Sequence, residues 1–242
     1  MLLEVKNLHK EFGGVLANAD ISFELKAGEI VGLIGPNGAG KTTLFNCIAG
    51  YYKPTSGKVF FDGKDITGWP AHRVAKVGIA RTFQVMKIMP TLTVEENIMI
   101  GAFCRTGDRQ VARREAQKIL ELVDLMQEAK AYPPELPIAI QKRIELARAL
   151  ATRPKLLMLD EVAAGLNPLE TKEIIQTLQK IKKERDLSLL LTEHVMEFIM
   201  TISERVIVMA AGRKIAEGVP EEVAKEKKVI EAYLGEKYAK GK

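Results

Sequence analysis

Cysteine is scarce: only Cys47 and Cys104 occur in 242 residues. A disulfide-built scaffold is excluded, and Cys47, set in an apolar stretch, is expected to be a buried free thiol. Long hydrophobic runs are missing too. No segment approaches the roughly 20 apolar residues that cross a bilayer. Met1 to Lys10 mixes charges among apolar residues and lacks a signal-peptide core, so the expectation is a soluble, cytoplasmic chain. Aromatic residues make up only 6%. Neither sign of charge dominates, with 36 Lys and Arg against 31 Asp and Glu, a net +5. The lysine clusters at Lys180, Lys182, Lys183 and at Lys225, Lys227, Lys228 have no aromatic residues among them, so they read as solvated helix faces. A nucleic-acid interface needs a concentrated stripe with stacking partners, and none is expected. There is no internal repeat and no low-complexity segment.

What is present centres on Gly35-Pro36-Asn37-Gly38-Ala39-Gly40-Lys41-Thr42, which fits the phosphate-binding pattern G-x-x-x-x-G-K-[ST]. The apolar run Glu29 to Ile34 precedes it as a buried strand, and Thr43 to Ala49 follows as the first turns of a helix. The residue types suit the task. Glycines let backbone N–H groups approach a triphosphate and permit left-handed dihedrals. The helix start adds partial positive charge. Lys41 is placed for the β- and γ-phosphates, and the Thr42 hydroxyl for Mg²⁺.

Alternating residues predict strands at Leu2 to Val5 and Ala19 to Leu25, with Gly13-Gly14 as a turn. Lys58 to Phe61 is a further strand, and Gly78 to Gln84 one that ends in a polar residue. From about Val94 to Glu128 the pattern is helical, with Thr93 and Glu96 spaced as a capping box. Pro133-Pro134 breaks it, and Gln141 to Thr152 is helical again. Leu156 to Leu159 reads as a buried parallel strand, Leu169 to Arg185 as a helix and Leu187 to Leu191 as another buried strand. A hairpin is expected across Ala210 to Arg213, then one helix over Glu221 to Leu234 and a frayed tail from Lys237 to Lys242.

Asp160 and Glu161 close one apolar strand, where a doubly wound sheet places its ligands. Asp160 suits a Mg²⁺ shell through water, and Glu161 a general base for the attacking water. His194 ends the next strand and is placed to sense the γ-phosphate. Gln84 is equally suited to a ligand role near Mg²⁺ and to a plain strand end. Phe12 can stack on adenine or pack in a sheet core.

The ordered set resembles the ATP-binding cassette (ABC) family of transporter ATPases over essentially all 242 residues. The resemblance implies an α/β fold: a P-loop NTPase core with an antiparallel β subdomain (1–84 and 153–242), and a helical subdomain at 85–152. It makes 35–42 the phosphate loop with Thr43 beside it, Phe12 the aromatic that faces adenine, Gln84 the Q-loop residue, 156–161 the strand with its acidic pair, Ala164 to Asn167 the D-loop and His194 the switch histidine. The implied cofactors are ATP and Mg²⁺. Gly78 to Gln84, Leu92 to Asn97, Ala163 to Pro168 and Glu231 to Gly235 look more narrowly like the ATPases of branched-chain amino-acid importers. That implies a peripheral subunit on the cytoplasmic face, docked to two permeases and fed by an extracytoplasmic binding protein. By the same likeness, residues 87–99 with Met86, Ile88, Met89 and Leu92 receive a permease helix, unless those side chains are buried.

Two positions depart from the family. Leu136-Pro137-Ile138-Ala139-Ile140 stands where the family has Leu-Ser-Gly-Gly-Gln, and Val162 where it has proline. Since that signature serves the partner's nucleotide, the resemblance implies a heterodimer with a second cassette ATPase carrying a standard signature. Two other readings remain at this stage: a nucleotide-gated clamp with little hydrolysis, and a soluble cassette for DNA repair or translation, which 242 residues leave little room for.

Overall fold

A computed structural model describes residues 1–234, in two compact units: 1–72 with the described residues from 188 onward, and 73–187. The tail from Lys237 and the glycine at 235 lie outside the described residues.

The first unit opens with β1 (Leu3–Phe12) and β2 (Val15–Leu25), joined by a tight turn at Gly13-Gly14 and paired antiparallel. Both strands are longer than the short alternating runs suggest. Irregularities in register near Leu8 and Lys10 interrupt the strict alternation without ending the pairing. Then come β3 (Ile30–Ile34), α1 (Lys41–Ile48), β4 (Ser56–Phe61) and β5 (Lys64–Asp65). The antiparallel sheet runs in the order β2-β1-β4-β5. Leu3, Val5, Leu8, Ile21, Phe23, Val59 and Phe61 form its buried face.

Helix α2 (Ala71–Val77) leads into the second unit, followed by β6 (Ile79–Arg81). The expected strand to Gln84 stops at Arg81: Thr82 N–H still reaches the Met158 carbonyl of the next strand, and Phe83 N–H turns to the Glu145 carboxylate instead. Helix α3 (Val94–Ala102) starts with the anticipated capping box. The Thr93 hydroxyl accepts from the Glu96 N–H, and the Glu96 carboxylate accepts from Thr93. Helix α4 (Arg109–Leu122) is capped by Asp108, so the long helical stretch is two helices. A 3₁₀ turn at Pro133–Glu135 precedes α5 (Ile138–Ala151). This helix begins three residues earlier than Gln141. Pro137 sits at its N-cap and nothing in Ile138-Ala139-Ile140 breaks it. Strand β7 (Leu156–Asp160) is buried throughout and parallel to β6. Helix α6 (Pro168–Arg185) starts with an Asn167–Glu170 capping box and Pro168 in its first turn.

The chain returns to the first unit with β8 (Ser188–Thr192), α7 (Met196–Ile202), β9 (Arg205–Ala210), β10 (Arg213–Gly218), α8 (Pro220–Val223) and α9 (Lys227–Leu234). The strands run β10-β9-β3-β8, with β3 parallel to both neighbours and β9-β10 the expected hairpin. The single C-terminal helix expected over Glu221 to Leu234 is instead α8 and α9. Each short piece seats one valine, Val223 and Val229, and the break falls in the charged run from Lys225.

Candidate functional site

The phosphate-loop geometry follows from its glycines. Gly35, Gly38 and Gly40 have φ of +151°, +78° and +96°, values that disfavour a side chain. A Cβ on Gly35 would lie 2.1 Å from the Met209 carbonyl oxygen, and one on Gly40 2.3 Å from that of Ala17. The loop is braced from two strands. Asn18 Nδ2 donates to the Gly40 carbonyl at 3.1 Å, and Gly212 N–H, in the β9-β10 turn, to the Ala39 carbonyl at 3.2 Å. Helix α1 follows with no side-chain cap, so its first N–H groups point into the loop without a side-chain acceptor. That is the condition an anion satisfies.

Lys41 is buried, and its ammonium donates to the carbonyls of Gly35 (2.6 Å) and Pro36 (3.2 Å). A cation is thus held inside the loop, with Thr42 exposed and Thr43 half-buried beside it. Pro36, Asn37 and Ala39 complete the cradle. Tyr233 of α9 hydrogen-bonds the Gly35 backbone, while burial pushes its phenol pKa up. The sequence signal for that contact is the Glu231 to Gly235 motif, which by itself assigns Tyr233 no partner. Phe12, at the end of β1, is 40% exposed, which removes the alternative of a core aromatic. Its ring stands edge-on to Tyr52, with centroids 5.2 Å apart, and the Lys10 ammonium lies 4.6 Å from its centroid. His194 is exposed just past β8. In α1, burial raises the Cys47 thiol to about 11, so it stays protonated and unreactive at neutral pH, as a packed thiol.

In the second unit the acidic pair splits its partners. Asp160 Oδ2 accepts from Arg81 Nη2 at 3.0 Å, with both side chains buried. The Asp160 N–H donates to Thr82 Oγ1 at 3.1 Å. The Arg81 guanidinium also donates to the Thr82 carbonyl and lies 4.6 Å from the Phe83 ring centroid. Glu161 accepts from the Gln84 side-chain amide at 2.9 Å. Glu161 has φ +54°, and the Lys142 ammonium bonds the carbonyls of Glu161 (3.1 Å) and Val162 (3.0 Å). Sequence reasoning overlooked Arg81 and Lys142, since both lie far along the chain from the acidic pair they meet.

The loop that carries Gln84 is held by Glu145 of α5, which accepts from the N–H groups of Phe83 (3.3 Å) and Lys87 (3.4 Å). Burial pushes the Glu145 carboxyl pKa up against those two N–H donors. Buried Asn97 binds both backbone groups of Met89. Met86, Ile88 and Leu92 are half-buried and Met89 is exposed. Among the described residues no group of three or more His, Cys, Asp or Glu side chains gathers to hold a metal. A hard cation here would therefore draw most of its oxygens from phosphate and water, as magnesium does.

A family model described as ABC transporter matches residues 18–164, and one described as branched-chain amino acid ATP-binding cassette transporter matches 213–239. The chain belongs to the ABC transporter family. It is an ATP-hydrolysing cassette coupled to transport, with the expected ABC ATPase fold. It is 39% identical to the high-affinity branched-chain amino acid transport ATP-binding protein BraF of Pseudomonas aeruginosa, over 97% of this chain and 98% of that one. LivG of Salmonella typhimurium, described in the same words, is 40% identical with the same coverage. The crystal structure of the ADP conformation of an ATP-binding cassette of an ABC transporter matches with TM-score 0.88 and 32% identity, over 97% of this chain and 99% of that one. Among the described residues no helix is long and apolar enough to cross a membrane.

Proposed function

We propose that this cassette powers an importer of branched-chain amino acids or similarly small solutes, docked peripherally to two permeases on the cytoplasmic face. A solute-binding protein outside the membrane would deliver the cargo. The solute reading rests on the relatives and on the C-terminal match.

Phe12 would face adenine, and residues 35–43 the phosphates. The observation that carries this is the Lys41 ammonium resting on two loop carbonyls beside an uncapped helix start. A triphosphate exchanges those neutral acceptors for charged oxygens. Thr42, Gln84 and Asp160 would hold Mg²⁺, which supplies charge neutralisation at the phosphates when bound. Glu161 takes the proton of the attacking water, and His194 hydrogen-bonds the γ-phosphate. Arg81 holds the Asp160 carboxylate in place. The experiment is Mg-ATP binding by the purified chain and by Lys41→Ala, a measurement that needs no partner. Equal affinities would sink the assignment.

The signature place supports a heterodimer. Helix α5 starts with Pro137 at its N-cap, which brings no side-chain hydrogen bond, and Ile138 is 53% exposed. Serine and glycine would offer a hydroxyl and closely approachable N–H groups there. This chain's own site is then completed by a partner ATPase with a standard signature, and co-expression with that partner should raise turnover. The same helix start favours a second reading, a clamp that closes on ATP and hardly hydrolyses it. Phosphate release that stays at background with the partner present would decide for the clamp.

A further inference from the structure

Lys142 is a conspicuous residue of the second unit that takes no part in the proposed mechanism. It lies in the second turn of α5, and its ammonium donates to two consecutive carbonyls, those of Glu161 at 3.1 Å and Val162 at 3.0 Å. Glu161 is one of few non-glycine residues with positive φ, at +54°. Its side chain is engaged separately, by Gln84 at 2.9 Å. The residue after it matters as well. Proline biases its predecessor toward extended backbone, so the left-handed conformation of Glu161 forms more easily before Val162 than before the proline usual in the family. Val162 is buried, which leaves little room for the turn to swing.

We propose that Lys142 is a positioning residue: it clamps the backbone of the proposed base in a left-handed turn that Val162 permits, and so ties that base to the helix whose start carries Leu136 to Ile140. The turn continues through Ala164 N–H to the Glu161 carbonyl (3.2 Å) and Leu166 N–H to the Ala163 carbonyl (3.1 Å). The Glu161 carbonyl accepts from both the Lys142 ammonium and the Ala164 N–H, and loss of the ammonium removes the charged one of the two.

The inference rests on Glu161 as base only for its effect on rate. Its structural half is tested by hydrogen–deuterium exchange on the full chain. Lys142→Met should raise exchange of the 162–166 amides at least tenfold, leave exchange in β3 and β7 unchanged, and lower kcat at least tenfold with the ATP Kd within twofold. Lys142→Arg, which can still reach both carbonyls, should restore most of both. Val162→Pro should lower kcat similarly, and the double variant should fall no further than either single one. Lys142→Gln carries the comparison if the methionine variant does not fold. Wild-type exchange at 162–166 in Lys142→Met, or losses that multiply in the double variant, would overturn the clamp. If the wild-type chain hydrolyses nothing even with its partner, the base assignment fails, and exchange still decides the clamp.

Discussion

The Gln84 amide donates to Glu161 Oε2 across 2.9 Å, joining a residue beyond the end of β6 to one just past the end of β7. The proposed base is thereby oriented by a neutral donor. Glu161→Gln should keep this geometry while removing basicity, with kcat falling by about 10² or more, the scale of general-base catalysis. ATP should then be retained on the protein, measurable as unhydrolysed nucleotide after rapid desalting. Gln84→Ala should cost about tenfold in kcat with the ATP Kd little changed, the pattern of an interaction needed mainly in the transition state.

Lys41 offers a direct test of the phosphate loop. The ammonium is buried on two carbonyls, and removing a charged hydrogen-bond partner of the nucleotide costs about 1.5–3 kcal/mol. Lys41→Ala should weaken ATP by about 10- to 150-fold. The Gly35 bond is buried and the Pro36 one part-buried, so the variant should fold with a lowered Tm in the absence of nucleotide. Nucleotide-dependent rise in Tm is the measurement, and an undiminished rise would contradict the assignment.

Two glycines of the same loop separate dihedral strain from steric conflict. Gly38 has φ +78°, and a Cβ added there would meet nothing within 4 Å. Gly40 has φ +96°, and its Cβ would meet the Ala17 oxygen at 2.3 Å. Gly38→Ala should cost about 1–2 kcal/mol, the left-handed penalty alone. Gly40→Ala should cost clearly more and also disturb ATP binding, because Asn18 and the loop must both shift. Urea denaturation of the two variants makes the comparison, and equal losses would refute it.

Much of this was legible beforehand because the motif residues are local. The strand–loop–helix at 29–49, both acidic residues past an apolar run and the Thr93–Glu96 cap depend on neighbours a few positions apart. What escaped was long-range. Arg81 meets Asp160 across 79 positions and Lys142 meets Glu161 across 19, pairings that no periodicity encodes. The early end of the strand at Arg81 has a related reason. Apolar pattern marks which residues are buried, not where a side-chain acceptor such as Glu145 pulls the backbone away.

Arg205 and Glu29 supply a pH-dependent contribution within the first unit. Arg205 donates to both Glu29 oxygens, at 2.8 and 3.1 Å, to the Glu24 carbonyl at 2.6 Å, and to Glu217. Burial alone would raise the Glu29 pKa, but the Arg205 hydrogen bond, the Lys26 N–H and the charges of both residues hold it below the ordinary range. A carboxyl whose folded pKa is depressed stabilises the fold above its unfolded pKa of about 4.3 and loses that stabilisation as pH falls through the folded value. The wild-type chain should therefore lose stability between about pH 5 and pH 3 partly through this pair. Arg205→Met should be less stable by about 1–3 kcal/mol at pH 7, since it leaves a largely buried carboxylate without its cation. The gap should narrow as pH is lowered, because protonated Glu29 no longer needs that partner. Chemical denaturation at pH 7 and pH 4 measures both differences, and a gap that stayed the same at pH 4 would show that Arg205 acts through packing alone.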